Sequence, residues 1–288
     1  MKAILVFFAF IALFIYTSCE KVIKVDLNTE DPKLVVEAIV NADSTTHYVT
    51  LTRTINFDED KAAPIVTDAL ITVTDVNDNK SANYTYDATL GKYKVTNFLA
   101  KEGHTYKMVI ISNGKTHTAT STIPSRVVLD SLKIAKYPFG PENEIFSIVP
   151  LRNDPAGIAN YYQFRLKKNG EAIKGIYVED DQGMDGILTK KPIFTNRNEY
   201  TPDTLIGDRK KWKIEVNGKT EILDSITADV ELSCIENKVF RYFFTLSLNG
   251  GGQQSATPAN PDPLFDNGAL GYFSAQTVQS KKIVISNK

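Results

Sequence analysis

Carboxylates crowded between glycines are the groups in this sequence best placed to do chemistry. Glu179, Asp180, Asp181 and Asp185 follow one another closely, with Gly183 and Gly186 interleaved. Carboxylate oxygens set on turning backbone are what a hard cation such as calcium takes as ligands. The spacing is not that of the Asp-x-Asp-x-Asp-Gly calcium loop, and no glutamate closes the run at its twelfth place. An acidic hairpin tip, solvated and metal-free, is therefore the expected state, with calcium the only cofactor the four residues suggest. Asp75, Asn77 and Asp78 make a weaker version of the same pattern.

Other chemistry is sparse. The three histidines, His47, His104 and His117, do not stand at metal-ligand spacing from one another or from Cys234. A two-residue turn at Asn113-Gly114 sets His117 opposite Ile110 and leaves His104 about six residues, roughly 20 Å, away along the strand. All three read as surface or half-buried strand residues. Cys234 sits in a strand-like run and reads as a buried structural thiol. No Gly-x-Ser-x-Gly elbow occurs. Gly250-Gly251-Gly252 follows a helical run instead of opening one, so it is not a phosphate loop. Trp212 is the single tryptophan, whereas glycan-binding faces present several aromatic platforms; the 13 tyrosines keep such a face open.

A different kind of site lies near the amino terminus. Lys2 is followed by an uncharged run from Ile4 to Tyr16, then the small pair Thr17-Ser18, then Cys19. This is the layout of an export signal. As a helix the run covers roughly 20 Å, short of the ~30 Å a spanning segment must cross. A cysteine directly after the small pair is where bacterial lipoproteins are cut and acylated, so residues 1–18 read as the signal and Cys19 as the lipidated first residue. Tyr16 stands where Leu is usual, which leaves open an ordinary cleaved signal with Cys19 as a free thiol. An uncleaved anchor is the other alternative, and the short run argues against it. One acyl chain binds a bilayer marginally and several hold it permanently.

Composition narrows the partners. The chain has 33 Lys+Arg against 34 Asp+Glu, a formal net charge of −1 with mixed signs, which argues against a nucleic-acid partner, since that would require a basic stripe. With 42% hydrophobic and 10% aromatic residues it can fill a core without a disulfide.

The elements that must position these residues are strands. Residues 19–32 read as a polar tether, although Val22-Ile23 and Val25 could form a first strand. From Lys33 to Ile123 the hydrophobic period is two: Val49 and Leu51, Ile71 and Val73, Tyr93 and Val95, and Tyr106, Met108 and Ile110 each alternate with polar or exposed neighbours. About seven short strands with turn signals between them predict an immunoglobulin-like sandwich over 33–124. Pro124-Ser125 marks a boundary, and 125–288 reads as a second β-rich domain. Its predicted strands are Val127–Ala135, Ile145–Leu151, Tyr161–Lys167, Ala172–Glu179, Lys211–Val216, Ala228–Cys234, Leu270–Ala275 and Lys281–Ser286. One helix is predicted over 236–248, with Val239, Phe240, Phe243 and Phe244 on one side. Residues 253–266 read as a long irregular loop suited to contacting a partner. The fold class is thus all-β with one short helix. A membrane barrel is excluded by short strands with charge on both faces.

Cys19-Glu20 with Val25-Asp26-Leu27, then Pro32-Lys33-Leu34-Val35-Val36-Glu37, resembles the opening of the family catalogued as domain of unknown function 4249, lipoproteins of Bacteroidota. Asn260-Pro261 followed by Asn267-Gly268-Ala269-Leu270-Gly271-Tyr272-Phe273-Ser274 resembles its closing motif. Asp181 to Gly186 is similar to its Asp-rich turn. Ala228–Cys234 with Arg241-Tyr242-Phe243 is similar to its strand-then-helix segment. The resemblance implies a cell-envelope lipoprotein working beside a TonB-dependent outer-membrane receptor, and it supplies no catalytic residues. The expected function is therefore that of a non-enzymatic, lipid-anchored accessory or binding protein of the outer membrane. A surface glycan-binding or adhesin module is the alternative, and a hydrolase the third reading.

Overall fold

Alternation of side-chain polarity becomes alternation of burial in a computed structural model of the protein, which describes residues 31–56, 59–138, 144–195, 199–202, 204–206, 209–216, 219–250 and 260–286. The signal segment, Cys19 and the Val22–Val25 stretch lie outside the described residues. Strand β1 (Leu34–Asn41) buries Val36, Ala38 and Val40, and β2 (His47–Arg53) buries Val49 and Leu51 while Tyr48 faces out. In β3 (Leu70–Asp75), Ile71 and Val73 go in and Leu70 goes out. The remaining strands of this half are β4 (Lys80–Asn83), β5 (Thr85–Asp87), β6 (Lys92–Val95), β7 (Thr105–Ser112) and β8 (Lys115–Thr122).

These strands form two layers. One runs β1-β2-β6-β5 and the other β4-β3-β7-β8. The chain passes from the first layer to the second after β2, returns by β5 and crosses again after β6. Such a double crossing between two antiparallel sheets is the immunoglobulin-like Greek key. Val36, Val49, Ile71, Tyr93, Tyr106 and Met108 fill the space between the layers. The β7–β8 hairpin has the expected register, with His117 opposite Ile110.

The second half repeats the layering. Strands β9 (Ser131–Pro138) and β10 (Glu144–Asn153) pair, and β14 (Leu188–Thr189) adds to the end of β10. Facing them is a sheet of β11 (Tyr161–Lys168), β12 (Glu171–Ala172), β13 (Tyr177–Asp180), β18 (Ser225–Cys234) and β19 (Leu270–Ser286). The predicted strand over 172–179 is split: Glu171–Ala172 and Tyr177–Asp180 both pair β11, and residues 173–176 bulge out between them. A meander of β15 (Thr204–Ile206), β16 (Arg209–Val216) and β17 (Lys219–Leu223) completes the strands. Ile148, Tyr162, Phe164, Trp212, Leu232 and Ile285 form the core. The Trp212 indole N–H donates to the Tyr200 carbonyl at 3.1 Å, so its burial leaves no polar group stranded.

Helix α1 (Asn237–Gly250) follows β18 directly. Val239, Phe240 and Phe243 are buried against Tyr161, Val178 and Tyr272, as the spacing predicts. Phe244 is not: it is 45% exposed and stacks on Phe240. No helix among the described residues is long and apolar enough to cross a membrane.

The two predicted closing strands are one strand of 17 residues. Its first part pairs parallel with β1, from Val35–Leu270 to Asn41–Gln276. Its second part pairs antiparallel with β18, from Cys234–Thr277 to Ser225–Ser286. Phe265, Ala269, Phe273 and Ala275 accordingly pack in the core of the first sandwich although they follow the Pro124-Ser125 junction by far in sequence. Gly271 makes this possible. Its φ is +97°, and a Cβ there would sit 1.9 Å from the Val36 carbonyl oxygen, so only glycine lets β19 lie against β1.

Candidate functional site

The site grows from the end of β10. Asp154 follows the strand and precedes Pro155, which holds it extended. Its amide donates to the Ile187 carbonyl at 3.1 Å, continuing the β10–β14 pairing and drawing the 181–187 turn alongside. The two loops touch at Gly186, where φ is +73° and a Cβ would meet that of Ala156 at 3.0 Å. This juxtaposition brings Asp154, Asp181 and Asp185 together, with one carboxylate oxygen from each lying within 4.8 Å of the others.

Each of the three carboxylates is oriented by one fixed donor. The Tyr162 hydroxyl donates to Asp154 Oδ1. The Asn160 amide donates to Asp181 Oδ2 at 2.7 Å, and the Gly157 amide donates to Asp185 Oδ1 at 2.7 Å. The second oxygen of Asp154 is buried and has no hydrogen-bond partner, on a residue only 4% exposed. Burial pushes the Asp154 carboxyl above the usual carboxylate range, the neighbouring Asp181 and Asp185 charges push the same way, and the Tyr162 hydroxyl and Arg152 oppose them. Tyr162 is itself driven far above the ordinary phenol value by burial and by Asp154, so it stays a donor.

The four residues singled out from sequence do not act as a set. Glu179 points inward from β13 and is 7% exposed, where Arg152 Nη2 donates to Oε2 at 2.9 Å and Lys191 Nζ approaches Oε1 at 3.2 Å. The Arg152 guanidinium also lies 4.2 Å over the Tyr162 ring. Glu179 is thus neutralised as a buried ion pair and offers nothing to a ligand. Asp180 alternates to the other side of the strand and accepts from the Gln182 amide at 3.4 Å. Asp181 and Asp185 remain, and the third member, Asp154, was missed. Its signal was the turn sequence Asp154-Pro155-Ala156-Gly157 at the end of a strand, but nothing in sequence told which loop it would face.

A second acidic group serves as a contrast. Asp75, Asp78 and His104 also lie close enough to share an ion. There, however, Asp75 accepts from the Asn77 and Asp78 amides at 3.0 and 3.2 Å and from His104 Nδ1 at 2.9 Å. Asp78 pairs with Lys101 at 2.6 Å. Every member is engaged, and the group is a capped turn.

The other histidines differ from expectation. His47 and His117 are 1% and 4% exposed, because both occupy inward positions of their strands. The His47 ring accepts from the Asn41 amide at Nδ1 and donates from Nε2 to the Phe98 carbonyl at 2.8 Å. Cys234 is buried as expected, its thiol pushed up by burial, with the Val127 amide 3.3 Å from Sγ. The described part of the 253–266 loop is packed down: Phe265 enters the first core, and the Asp266 carboxylate accepts from the Thr118 amide at 2.5 Å. Asn267 Nδ2 donates to the Thr116 carbonyl, so the turn before β19 is stapled to β8.

Taken together, the fold and the site define an all-β protein of two joined sandwiches whose second half carries a pinned, carboxylate-rich loop pair. The family described as "Domain of unknown function (DUF4249)" matches residues 20–282, and the chain belongs to that family. No curated protein matches it. Among solved structures it is similar to the two fibronectin type-III domain segment from chicken tenascin, at 8% identity over 90% of this chain and 100% of that one. The TM-score of that likeness is 0.23, which carries no weight for the fold.

Proposed function

We propose that the protein is a non-enzymatic binding subunit, held to the outer membrane by acyl chains on Cys19 and working beside a TonB-dependent receptor. The observation that carries this reading is exposed apolar side chains on the pinned segments: Ile158, Ile187 and Leu188 are 56%, 50% and 43% exposed on the 154–160 loop, the end of the 181–187 turn and the start of β14, which Asp154, Asp185 and Gly186 hold together. Apolar side chains left in water on ordered backbone are where a partner protein would gain by docking. The export signal ahead of Cys19 supports the anchor. The Asp154 carboxylate, covered from solvent, is placed to organise these loops and not to touch a substrate.

The test is recovery of partners from the native envelope. Tagged protein solubilised in mild detergent is expected to retain an outer-membrane barrel, and Ile158→Asp with Leu188→Asp to release it while the circular dichroism spectrum is kept. Recovery of no barrel by the unmodified protein refutes the partnership, and an unmodified Cys19 thiol in mass spectrometry of the mature product refutes the anchor.

A further inference from the structure

We infer that Asp154, Asp181 and Asp185 bind a calcium ion that clasps the 154–160 loop to the 181–187 turn. The buried Asp154 Oδ2, which lacks any hydrogen-bond partner, is the independent sign of a cation site. A carboxylate oxygen removed from water without a donor is costly, and native proteins rarely tolerate one. No lysine or arginine forms an ion pair with any of the three residues among the described residues: Arg152, whose charge reaches Asp154, gives its Nη2 to Glu179, and Lys191 pairs with the same Glu179. The three oxygens, all within 4.8 Å of one another, fit around one ion. Calcium accepts irregular oxygen cages, whereas magnesium demands near-ideal octahedral geometry, and three carboxylates on two separate loops suit the former. The ligand chemistry, carboxylate oxygen throughout, is that of a hard cation and not of zinc or copper. Asp185 is exposed, which leaves the outer side of the ion to water, as calcium's six to eight ligands require.

The predicted four-residue site becomes a different one. Asp181 and Asp185 are kept, Glu179 and Asp180 are lost, and Asp154 is gained. The inference does not depend on the receptor partnership: a calcium site stands or falls by direct binding to the purified chain.

The experiment is calorimetric titration of the mature full chain, stripped with a chelator in detergent, with calcium chloride alone. One ion per chain is expected, with a dissociation constant of about 10⁻⁴–10⁻³ M, the range of extracellular sites. Melting temperature should rise with calcium accordingly. Asp154→Asn keeps an acceptor for the Tyr162 hydroxyl but removes the charge, so calcium binding should vanish while melting in chelator is unchanged or raised. Asp185→Asn, at an exposed position, should fold normally and bind at least about tenfold more weakly. Asp78→Asn, in the contrasting turn, should leave calcium affinity unaltered. The inference is overturned if calcium up to about 10 mM gives neither heat nor a melting shift, tenfold above that range. Undiminished binding in both Asp154→Asn and Asp185→Asn overturns it equally, as does magnesium binding as tightly as calcium.

Discussion

Replacing Gly271 by alanine tests whether the closing strand is held where the register says. The added Cβ would lie 1.9 Å from the Val36 carbonyl oxygen and 2.7 Å from its carbonyl carbon and amide nitrogen. An unstrained carbon–oxygen contact is about 3.3 Å or more, so β19 must back away from β1 by more than an ångström. Breaking two or three ladder hydrogen bonds there costs about 1 kcal/mol each. The left-handed backbone at +97° adds about 1–2 kcal/mol for any residue with a Cβ. Phe273 and Ala275, both fully buried two and four residues on, would be dragged out of register with the first core. The expected loss is about 4 kcal/mol or more, a large part of the 5–15 kcal/mol typical of a folded protein. Gly268→Ala is the matched control, since φ is +77° but nothing lies within 4 Å of its Cβ, and it should lose only about 1–2 kcal/mol. Urea unfolding followed by far-ultraviolet circular dichroism measures both. A Gly271→Ala protein within about 1 kcal/mol of the Gly268→Ala protein would refute the parallel β1–β19 contact, whereas a chain that folds only as Gly268→Ala agrees with it.

Two further outcomes are expected. Arg152→Ala should destabilise by about 3–5 kcal/mol, because it leaves the buried Glu179 charge only the half-exposed Lys191 and uncovers Tyr162 and Phe164; a loss under about 1 kcal/mol in urea unfolding would contradict a buried pair. Burial holds His47 below the ordinary imidazole value, so as pH falls past about 6.5 the unfolded chain takes up a proton that the native ring refuses. The stability contributed above that pH is then lost on acidification, by up to about 1.4 kcal/mol per pH unit, and His47→Gln should remove this slope; identical slopes between pH 6.5 and 5 would count against it.

Period-two patterning made the first sandwich legible, since each strand there has one wet and one dry face and the pattern is local. The helix was legible for the same reason, through Val239, Phe240 and Phe243. Phe244 failed because a period-3.6 stripe shows which side is apolar but not where the neighbouring sheet ends. The continuity of β19 was hidden by Gln276 and Thr277, polar residues that read as a break. Both are fully buried at the point where the strand changes partners, and Gln276 donates to Ser233 at 3.0 Å. The acidic site was half legible. Asp181 and Asp185 share a turn, and a turn is written locally. Asp154 joins them only through the pairing of Asn153 with Leu188, a contact between segments whose spacing in sequence carries no periodic signal. Glu179 was misread because alternation in β13 sends it inward to Arg152, a partner equally distant in sequence.

The closing strand also changes what the two sandwiches are to each other. Were they beads on a string, each would own its core. Instead the first lacks Phe265, Ala269, Phe273 and Ala275 until residues 265–275 arrive, and β1 has an open edge until Leu270–Gln276 covers it. An uncovered edge strand invites pairing with other chains. Ser121 ties the same region together, its hydroxyl accepting from the Ala275 amide at 2.9 Å and donating to Glu236 at the start of α1. Contacts spanning so much of the sequence make folding slow relative to helical proteins, because loop closure precedes the contacts that reward it. In that frame residues 267–273 are explained without a ligand: Asn267 anchors to β8, Gly271 permits close approach, and Phe273 fills the core. The 154–160 loop and the 181–187 turn, which bring Asp154, Asp181 and Asp185 together, are where binding chemistry is to be sought.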